Sequence, residues 1–479
     1  MYLGLDIGTS GVKAAIVAGD GGVAAQATAP LGVSRPHALW SEQDPADWWA
    51  ATEAAVLALD PALRRQVKGI GLAGQMHGAT LLGADDKPLR PAILWNDGRS
   101  FAECAALEQA EPASRAITGN LAMPGFTAPK LLWLRGHEPD TFAAVRSVLL
   151  PKDYVRLVMT GEKASDMSDA AGTLWLDVAA RDWSDAMLDA TGLTRGHMPR
   201  LLEGSAVSGS LRADVAACWG MEQVPVAAGA GDNAGGAAGV GVIGDGDALL
   251  SLGTSGVIFV AAKEFRPNPE RAVHAFCHCL PGMWHQMSVH LSAASCLDWG
   301  ARAVGMDVEA FVRAAEVAGA ASGPELFLPY LSGERTPHND PHLRGAFLRL
   351  DNETDPGRMA AAVLEGVAFA LADGLAALAE AGTRIEELAV IGGGARSRHW
   401  GTVIAAVLGV RLAYLAGGEV GPALGAARLA QMAVTGASAA EACVRPPVRD
   451  VIEPDPALAA RLAPKLESFR RATAAIRTL

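Results

Sequence analysis

Short apolar runs alternate with longer stretches of helical composition along most of the chain. The runs that predict strands are residues 2–7, 12–17, 70–76, 92–97, 247–252, 257–262, 387–393 and 410–415. The segments that predict helices are residues 45–59, 356–382, 394–409, 421–436 and the chain end after residue 452. Strands that alternate with helices in this way are typical of layered α/β proteins. The pattern therefore predicts an α/β fold.

One pentapeptide occurs twice, as Gly8–Val12 and as Gly253–Val257. Each copy lies between two apolar runs, so each predicts a β-hairpin whose tip is rich in backbone N–H groups. Two copies in the same context, each near the start of one half, favour a duplicated domain. Glycine and aspartate cluster at residues 239–250, and we expect domains at residues 1–243 and 244–479. A cleft between two such domains is a common binding site for small molecules.

The two hairpin tips have the composition of an anion-binding turn. Gly8 and Gly253 have no side chain that blocks a close approach, and the hydroxyl groups of Thr9, Ser10 and Thr254 add hydrogen-bond donors. No Gly-Lys-Ser/Thr sequence follows Gly8 at the Walker A spacing, so the first tip is not a P-loop. Two ordinary hairpins are the alternative interpretation.

The two copies differ in charge at the position just before the tip. Asp6 precedes the first tip, whereas Ser251 precedes the second. A carboxylate beside a phosphate-binding turn can hold Mg²⁺, usually through water. The alternative role for Asp6 is to cap its own turn.

A second carboxylate stands where an apolar run meets a stretch of small residues. Asp232 lies within the segment 227–241, which is dense in glycine. The glycines on both sides indicate that another group approaches the backbone closely. A carboxylate at this place can accept the proton of a substrate hydroxyl while that oxygen attacks a γ-phosphate. The alternative role for Asp232 is that of a helix N-cap.

Met76 and His77 lie between two glycines at the end of the run 70–76. Backbone and imidazole groups at a strand end can make the directional hydrogen bonds that a polyol requires, although a lone histidine is more often structural. The chain also carries four polar or aromatic residues to which the sequence assigns no role, namely Trp95, Arg99, Glu334 and Arg335.

The segment 274–279 contains His274, Cys277, His278 and Cys279, which are residue types that bind zinc. Structural zinc sites need a second ligand pair at a short spacing, and no CxxC pair occurs elsewhere, so we do not expect zinc. Six cysteines in 479 residues are too few for a disulfide scaffold and indicate reduced thiols.

Charge and hydropathy exclude several classes of protein. The formal net charge is −12 and no Lys/Arg-rich run occurs, which argues against a nucleic-acid partner. Aspartate and glycine interrupt the apolar stretches, and the first residues lack the basic and apolar regions of a signal peptide. We therefore expect a cytoplasmic protein that acts on a small molecule and has no membrane partner.

Several motifs together resemble the FGGY family of carbohydrate kinases, within the actin/hexokinase/Hsp70 superfamily. The motifs are GLDIGTSGVKA at 4–14, GQMHGATLL at 74–82, GAGDNAGGAAGVG at 229–241, SLGTSGVIFVA at 251–261 and IGGGARSRHW at 391–400. They occur in order over nearly the whole chain. The resemblance implies two duplicated ribonuclease H-like ATPase domains facing a cleft, with ATP as phosphate donor, Mg²⁺ as cofactor and a homodimer as the assembly.

The same resemblance implies roles for individual residues. Asp232 matches the catalytic base, and Asp6 matches a second catalytic acid near Mg²⁺. Met76, His77, Asp232 and Asn233 match the sugar contacts. The positions that match the nucleotide-binding loops are Gly8, Thr9, Ser10, Gly253, Thr254 and, for the adenosine, Gly393.

Within this family the motifs are most similar to those of members that phosphorylate D-xylulose to D-xylulose 5-phosphate. Two alternatives remain open at this point. One is a family member for another polyol or ketose, such as ribulose, glycerol, rhamnulose or fuculose. The other is a sugar-responsive regulator or chaperone-like ATPase of the same superfamily.

Overall fold

A computed structural model describes residues 1–416 and 421–478 of the chain. The strands are β1 Tyr2–Ile7, β2 Gly11–Val17, β3 Val23–Pro30, β4 Glu42–Gln43, β5 Ile70–Gly74, β6 Thr80–Leu82, β7 Ala92–Ile93, β8 Ser147–Leu149, β9 Ala164–Asp166, β10 Leu176–Asp177, β11 Asp182–Trp183, β12 Arg200–Leu202, β13 Val207–Ser210, β14 Pro225–Ala227, β15 Ala230–Gly231, β16 Ala248–Leu252, β17 Gly256–Ala262, β18 His274–Cys277, β19 Trp284–His290, β20 Leu326–Leu328, β21 Ala346–Leu348, β22 Glu387–Ile391, β23 Arg411–Leu415 and β24 Val448–Ile452.

The helices are α1 Pro45–Leu57, α2 Pro61–Arg64, α3 Phe101–Ala110, α4 Ser114–Thr118, α5 Thr127–His137, α6 Pro139–Ala144, α7 Pro151–Thr160, α8 Met167–Ala171, α9 Asp185–Thr191, α10 Ala213–Trp219, α11 Asp232–Gly239, α12 Ser295–Ala303, α13 Val308–Ala318, α14 Pro356–Glu380, α15 Arg398–Leu408, α16 Pro422–Thr435, α17 Ala439–Ala442 and α18 Pro456–Ile476. Short 3₁₀ turns lie at Arg195–His197, Pro269–Arg271 and Gly393–Arg396. The helices predicted at 45–59, 356–382, 394–409 and 421–436 are all present. The predicted terminal helix is α18, and Leu479 lies outside the described residues.

Two seven-stranded sheets form the centre of the two halves. The first has the order β13-β14-β5-β1-β2-β3, with β15 beside β5, and the second has the order β18-β19-β17-β16-β22-β23-β24. In the first, β1, β2 and β3 pair antiparallel, and β5 and β14 follow in parallel. In the second, β16, β17 and β19 repeat the antiparallel part, and β22 and β23 repeat the parallel part. The same ribonuclease H-like core therefore occurs twice, which confirms the duplicated α/β fold.

The two identical pentapeptides do not form identical hairpins. In the first hairpin the last opposed pair is Ile7 and Val12, whereas in the second it is Leu252 and Gly256. The pairing is thus shifted by one residue, so that Asp6 lies opposite Lys13 in the first copy. Because opposed residues of an antiparallel pair point to the same face, the first hairpin places a carboxylate and an ammonium group together.

Helix α16 comes from the second half of the sequence but packs on the first sheet, against β1, β5 and β14. Glycines allow this close approach. A Cβ at Gly4 would lie 1.8 Å from the Ala423 carbonyl oxygen, and one at Gly71 would lie 1.9 Å from that of Ala426. The two halves are therefore joined by packing as well as by the chain. The division of domains at 243/244 stays a prediction.

Among the described residues, one helix is long and apolar enough to cross a membrane, namely α14. Of the most apolar window of this helix, 83% is buried inside the protein. The helix packs against α13, α15 and the second sheet, as expected for a helix at the centre of a core.

The strand predicted at 92–97 is much shorter, because only Ala92–Ile93 pair with Glu42–Gln43 in a separate two-stranded sheet. The chain turns away after Leu94. The Asp97 carboxylate accepts hydrogen bonds from the backbone N–H groups of Ser41, at 2.6 Å, and Arg99, at 2.9 Å. These side-chain bonds replace the ladder bonds of a longer strand.

Candidate active site

A cavity of about 300 Å³ lies between the two halves of the molecule. Its walls come from both sheets and from the loops that follow them. The lining residues are Met76, His77, Trp95, Met123, Gly125, Phe126, Asp232, Asn233, Ser251, Ser255, Val257, His274, Phe276, Met287, Val289 and Arg335. The structure thus brings the four residues of the expected sugar contacts into one cavity.

Asp232 is the first residue of α11 and directly follows β15. Gly231 is the N-cap and makes no side-chain cap, so Asp232 is not the N-cap. The Asp232 Oδ1 atom accepts hydrogen bonds from the backbone N–H of Asn233, at 2.7 Å, and from its Nδ2, at 2.9 Å. Burial raises the pKa of Asp232 to about 6, and the bonds from Asn233 act in the opposite direction. This carboxylate is therefore mostly ionised at neutral pH but is a stronger base than an exposed aspartate.

Asp6 occupies the next-to-last position of β1, beside the first hairpin tip. Burial and the negative charge of Asp232 raise the pKa of Asp6 to about 7, while Lys13 acts to lower it. The influence of Asp232 means that the two carboxylates repel each other. A cation placed near both would relieve this repulsion.

His77 has a left-handed backbone conformation, with φ of 69°. Its Nδ1 lies 2.5 Å from the carbonyl oxygen of Gly172. Burial lowers the pKa of His77 to about 3, so the ring is neutral at pH 7. Since a carbonyl only accepts, Nδ1 carries the proton and Nε2 is an acceptor. The Phe126 ring and the imidazole pack in an edge-to-face arrangement with centroids 4.8 Å apart.

Lys130 supports the backbone of this wall from beneath. Its buried Nζ donates hydrogen bonds to the carbonyl oxygens of His77 and Gly125, each at 2.8 Å. Burial lowers the pKa of Lys130 to about 7. Because both carbonyls belong to residues that line the cavity, Lys130 helps to determine the shape of the cavity.

The first hairpin tip is tied to the cavity through Thr9. Its hydroxyl donates to the Gln75 Oε1 at 3.0 Å and accepts from the Trp95 Nε1 at 2.9 Å. Its carbonyl accepts from the Gln43 Nε2 at 2.8 Å. The neighbouring Ser10 is exposed at the tip. The tip is therefore held at a defined place beside the cavity while Ser10 remains open to a ligand.

The second tip is anchored on the start of α12. The carbonyl oxygen of Thr254 accepts from the Ala293 backbone N–H at 2.9 Å and from the Ser295 hydroxyl at 2.8 Å. Gly253 accepts from the Ala294 N–H in the same way. The side chain of Thr254 is exposed.

Gly393 is not among the residues that line the cavity. It follows the end of β22, the strand that neighbours β16 in the second sheet. A Cβ at this position would meet no atom within 4 Å. Because Ile391 pairs with Ser251, this glycine borders open space close to the tip of the second hairpin.

The structure separates the four residues without an assigned role into two groups. Trp95 and Arg335 line the cavity. Arg99 instead forms a buried pair with Asp97 at 2.7 Å, and the Glu334 carboxylate accepts from the Leu291 backbone N–H at 3.0 Å. Arg99 and Glu334 therefore have structural roles.

Sequence reasoning missed the part of the cavity wall that β18 supplies. Arg335 Nη1 lies 3.3 Å from His274 Nε2, and His274 Nδ1 lies 3.1 Å from Asn120 Oδ1. The sequence pattern indicated His274 only as a candidate metal ligand. Cys277 and Cys279 are instead buried in the core. Within residues 1–416 and 421–478, no group of three or more His, Cys, Asp or Glu is arranged to hold a metal. The sequence did contain one signal for this part of the cavity wall. Side chains alternate between the two faces of a strand, so His274 and Phe276 of β18 lie on the same face.

Comparisons with known proteins agree with this architecture. The family model for the N-terminal domain of the FGGY family of carbohydrate kinases matches residues 1–239, and the model for the C-terminal domain matches residues 248–434. The chain is 56% identical to xylulose kinase of Escherichia coli K12, over 98% of both chains. It is 36% identical to xylulose kinase of Bacillus subtilis, over 94% of this chain and 91% of that protein.

Solved structures show the same likeness. A xyloylose kinase from Brucella ovis superimposes with a TM-score of 0.97 at 51% identity, and covers 100% of this chain and 99% of its own. Plasmodium falciparum glycerol kinase with ADP superimposes with a TM-score of 0.88 at 17% identity, over 98% of this chain and 97% of its own. The second likeness shows the shared fold alone.

Proposed function

Because the chain belongs to the FGGY family of carbohydrate kinases, we propose that it transfers the γ-phosphoryl group of ATP to D-xylulose, which gives D-xylulose 5-phosphate and ADP. The observation that carries this proposal is the cavity between the halves, which holds Asp232 beside Met76 and His77. The identity of 56% with the Escherichia coli xylulose kinase supports D-xylulose as the substrate.

Asp232 is the general base in this proposal. The terminal hydroxyl of the sugar gives its proton to the Asp232 carboxylate as its oxygen bonds to the γ-phosphorus, and the bond from phosphorus to the bridging oxygen of ADP breaks. The pKa of about 6 suits this role, because the group is ionised at neutral pH and still has appreciable basicity. Hydrogen bonds from Asn233 orient the carboxylate.

The sugar is held by Met76, His77 and Asn233. The neutral His77 ring offers Nε2 as an acceptor for a sugar hydroxyl, because Nδ1 is engaged by Gly172. The Asn233 amide offers both donor and acceptor atoms, and Met76 provides an adaptable apolar contact for the carbon chain.

The nucleotide is held by the two hairpin tips and by the turn after β22. Backbone N–H groups and hydroxyls of Gly8, Thr9 and Ser10 bind phosphate oxygens from one side, and Gly253 and Thr254 bind from the other. The open space at Gly393 accommodates the adenosine.

The residues present also fit Mg²⁺. Magnesium usually binds to one or two carboxylates, with the remaining ligands from phosphates and water. Asp6 provides such a carboxylate, and its repulsion from Asp232 favours a nearby cation. When bound, the ion neutralises charge on the β- and γ-phosphates. Asp6 is accordingly assigned to hold Mg²⁺.

We expect the reaction to lose rate in acid. The pKa values of about 6 for Asp232 and about 7 for Asp6 are both raised, so both carboxylates are ionised above this range and protonated below it. A protonated Asp232 cannot accept the hydroxyl proton. At saturating MgATP, kcat/KM for the sugar should therefore fall at least about tenfold per pH unit below pH 6. A profile that stays flat from pH 8 to pH 5 contradicts the assignment of Asp232 as base.

Comparison of kcat/KM for a panel of ketoses and polyols in an ADP-coupled assay tests the substrate. We expect D-xylulose to exceed ribulose, rhamnulose, fuculose and glycerol. If another member of the panel exceeds it, the protein is a kinase for that substrate. If none produces ADP, the chain is a regulator or chaperone-like ATPase of the superfamily.

The family resemblance also supports a cytoplasmic homodimer that has no nucleic-acid or membrane partner, with domains 1–243 and 244–479. Light scattering of the purified protein tests the oligomeric state.

A further inference from the structure

A cluster of charged side chains lies fully buried beneath the first sheet, outside the cavity. Its members are Lys152, Asp153, Arg156, Asp166 and Asp169, each with a side-chain exposure of 0%. Lys152 Nζ lies 2.7 Å, 2.8 Å and 2.9 Å from carboxylate oxygens of the three aspartates, in chain order. Buried charges are costly, so a cluster of this size indicates a role beyond filling the core.

The cluster is nearly neutral as a whole. Arg156 Nη1 pairs with Asp153 at 2.6 Å, so two cations face three aspartates. Burial, together with the charges of Asp153 and Asp166, raises the pKa of Asp169 well above its ordinary value, although Lys152 acts to lower it. Lys152 and Arg156 thus offset all but one of the three negative charges.

The first connection to the active site runs through Ser168 at the start of α8. The Ser168 hydroxyl accepts the backbone N–H of Gly231 at 3.0 Å and donates to Asp166 Oδ1. Gly231 immediately precedes Asp232. The backbone before the base is therefore hydrogen-bonded to a hydroxyl that the buried cluster orients through Asp166.

The second connection runs through the other end of the same short helix. Gly172, the C-cap of α8, accepts the Nδ1–H of His77 at 2.5 Å. The Met76 side chain fills the space between Gly231 and Gly172. A Cβ at Gly231 would lie 2.9 Å from Met76 Sδ, and a Cβ at Gly172 would lie 2.8 Å from Met76 Cε.

The cluster also holds the strand that leads to Asp232. Arg156 Nη2 donates to the carbonyl oxygen of Ala228, and its Nη1 donates to that of Ala164 at 2.5 Å. Ala228 precedes β15, so the same side chain joins the cluster to the segment that ends at the base. Each element that carries a proposed reacting or sugar-binding group is thus hydrogen-bonded to α8 or to its anchor.

We propose that α8, anchored by the buried cluster, positions the base and the sugar-binding imidazole relative to each other, with Ser168 acting on Asp232 and Gly172 acting on His77. Both are positioning residues and neither touches the substrate. The inference rests on the proposed function, since it needs Asp232 to be the base. One short helix thus sets the distance between the sugar contacts and the group that accepts the proton.

Ser168→Ala removes the acceptor of the Gly231 N–H with little change in volume. We expect kcat to fall about 10- to 100-fold, because small misplacements of a reacting group are costly. The KM and Kd for the sugar should stay within about twofold, since His77 keeps its own bond to Gly172. The control is Ser208→Ala, which removes another buried hydroxyl of the same half, bonded to the Val226 carbonyl, and should keep the parent kcat.

Gly172→Ala tests the other end of the helix. The new Cβ would lie 2.6 Å from the His77 Nδ1, while its φ of −75° suits alanine. We expect the KM for the sugar to rise about tenfold or more with a smaller change in kcat, since loss of about 1.4 kcal/mol of binding is tenfold. The control is Gly136→Ala in α5, where a Cβ meets no atom within 4 Å.

Calorimetric titration with the sugar gives the number of binding sites per chain. Each kcat is then calculated per binding site, so that only folded protein is counted. A split in which Ser168→Ala changes kcat and Gly172→Ala changes KM supports the inference. Equal loss of sites in both variants, with kcat and KM per site unchanged, overturns it and leaves α8 as ordinary core. If Asp232→Asn is inactive while Ser168→Ala has the parent kcat, the inference alone fails. If Asp232→Asn keeps the parent turnover, the assignment of Asp232 as base fails, and the inference loses its premise. If the parent protein phosphorylates no sugar of the panel, the proposed function itself fails.

Discussion

Asp232→Asn is expected to lower kcat for sugar phosphorylation by about 1,000-fold, since an amide cannot accept the hydroxyl proton and general-base catalysis contributes factors of this size. The change keeps the shape of the side chain and removes the charge. Asp232 is half-buried in the cavity wall, where its pKa is raised to about 6, so its basicity is specific to this place. An ADP-coupled assay at saturating MgATP and sugar measures the loss.

The fold and the sugar site should survive this change. Asp232 is at the start of α11, and the helix N-cap is Gly231, so loss of the charge removes no side-chain cap. Calorimetry should show sugar binding within a few-fold of the parent protein. Asp47→Asn, at an exposed position in the first turn of α1, is the matched control and should retain full turnover. Turnover of the Asp232 variant within tenfold of the parent would exclude the residue as base.

Gly71→Ala is expected to lower the free energy of unfolding by about 3 kcal/mol, as overpacking in a dense interior does. Gly71 is the second residue of β5, and a Cβ there would be 1.9 Å from the carbonyl oxygen of Ala426 and 2.6 Å from the carbonyl carbon. These are backbone atoms of α16, so no flexible side chain can move aside. The helix must shift away from the first sheet.

The same shift should reach the active site. A Cβ at Gly425 of α16 would lie 1.8 Å from the Gly235 carbonyl oxygen, so α16 and α11 are also in backbone contact. Since α11 begins with Asp232, kcat should fall along with Tm. Thermal unfolding and the coupled assay measure both. Gly19→Ala is the matched control, because a Cβ there meets no atom within 4 Å. An unchanged Tm for the Gly71 variant would show that the helix and sheet are not tightly packed.

Much of the architecture could be predicted from local pattern. The repeated pentapeptide and its flanking apolar runs indicated two hairpins, and these are the first two strands of each sheet. The change from an apolar run to small residues at Asp232 indicated a strand end and a helix start, which β15 and α11 provide. Such features depend on neighbours in the chain, so the sequence contains them directly.

Other parts of the site could not be predicted because they depend on contacts between distant segments. Arg335 and His274 meet in the cavity wall although sixty-one residues separate them. The α8 helix carries no motif of its own, and its relation to Asp232 depends on the single bond from Gly231 to Ser168. Charged residues within the apolar stretches at 150–159 were the available signal for the buried cluster, since unpaired charges are rarely buried.

By itself the sequence determined the α/β class, the duplication and the chemical type of the site, because periodicity, repeats and motifs are local properties of the chain. The tertiary structure alone decided the register of the two hairpins, the packing of α16 on the first sheet and the raised pKa values of Asp6 and Asp232. Identical pentapeptides form different tips because the strands and helices around them differ. Burial and neighbouring charge, which set the acidity of a carboxylate, exist only once distant parts of the chain have come together.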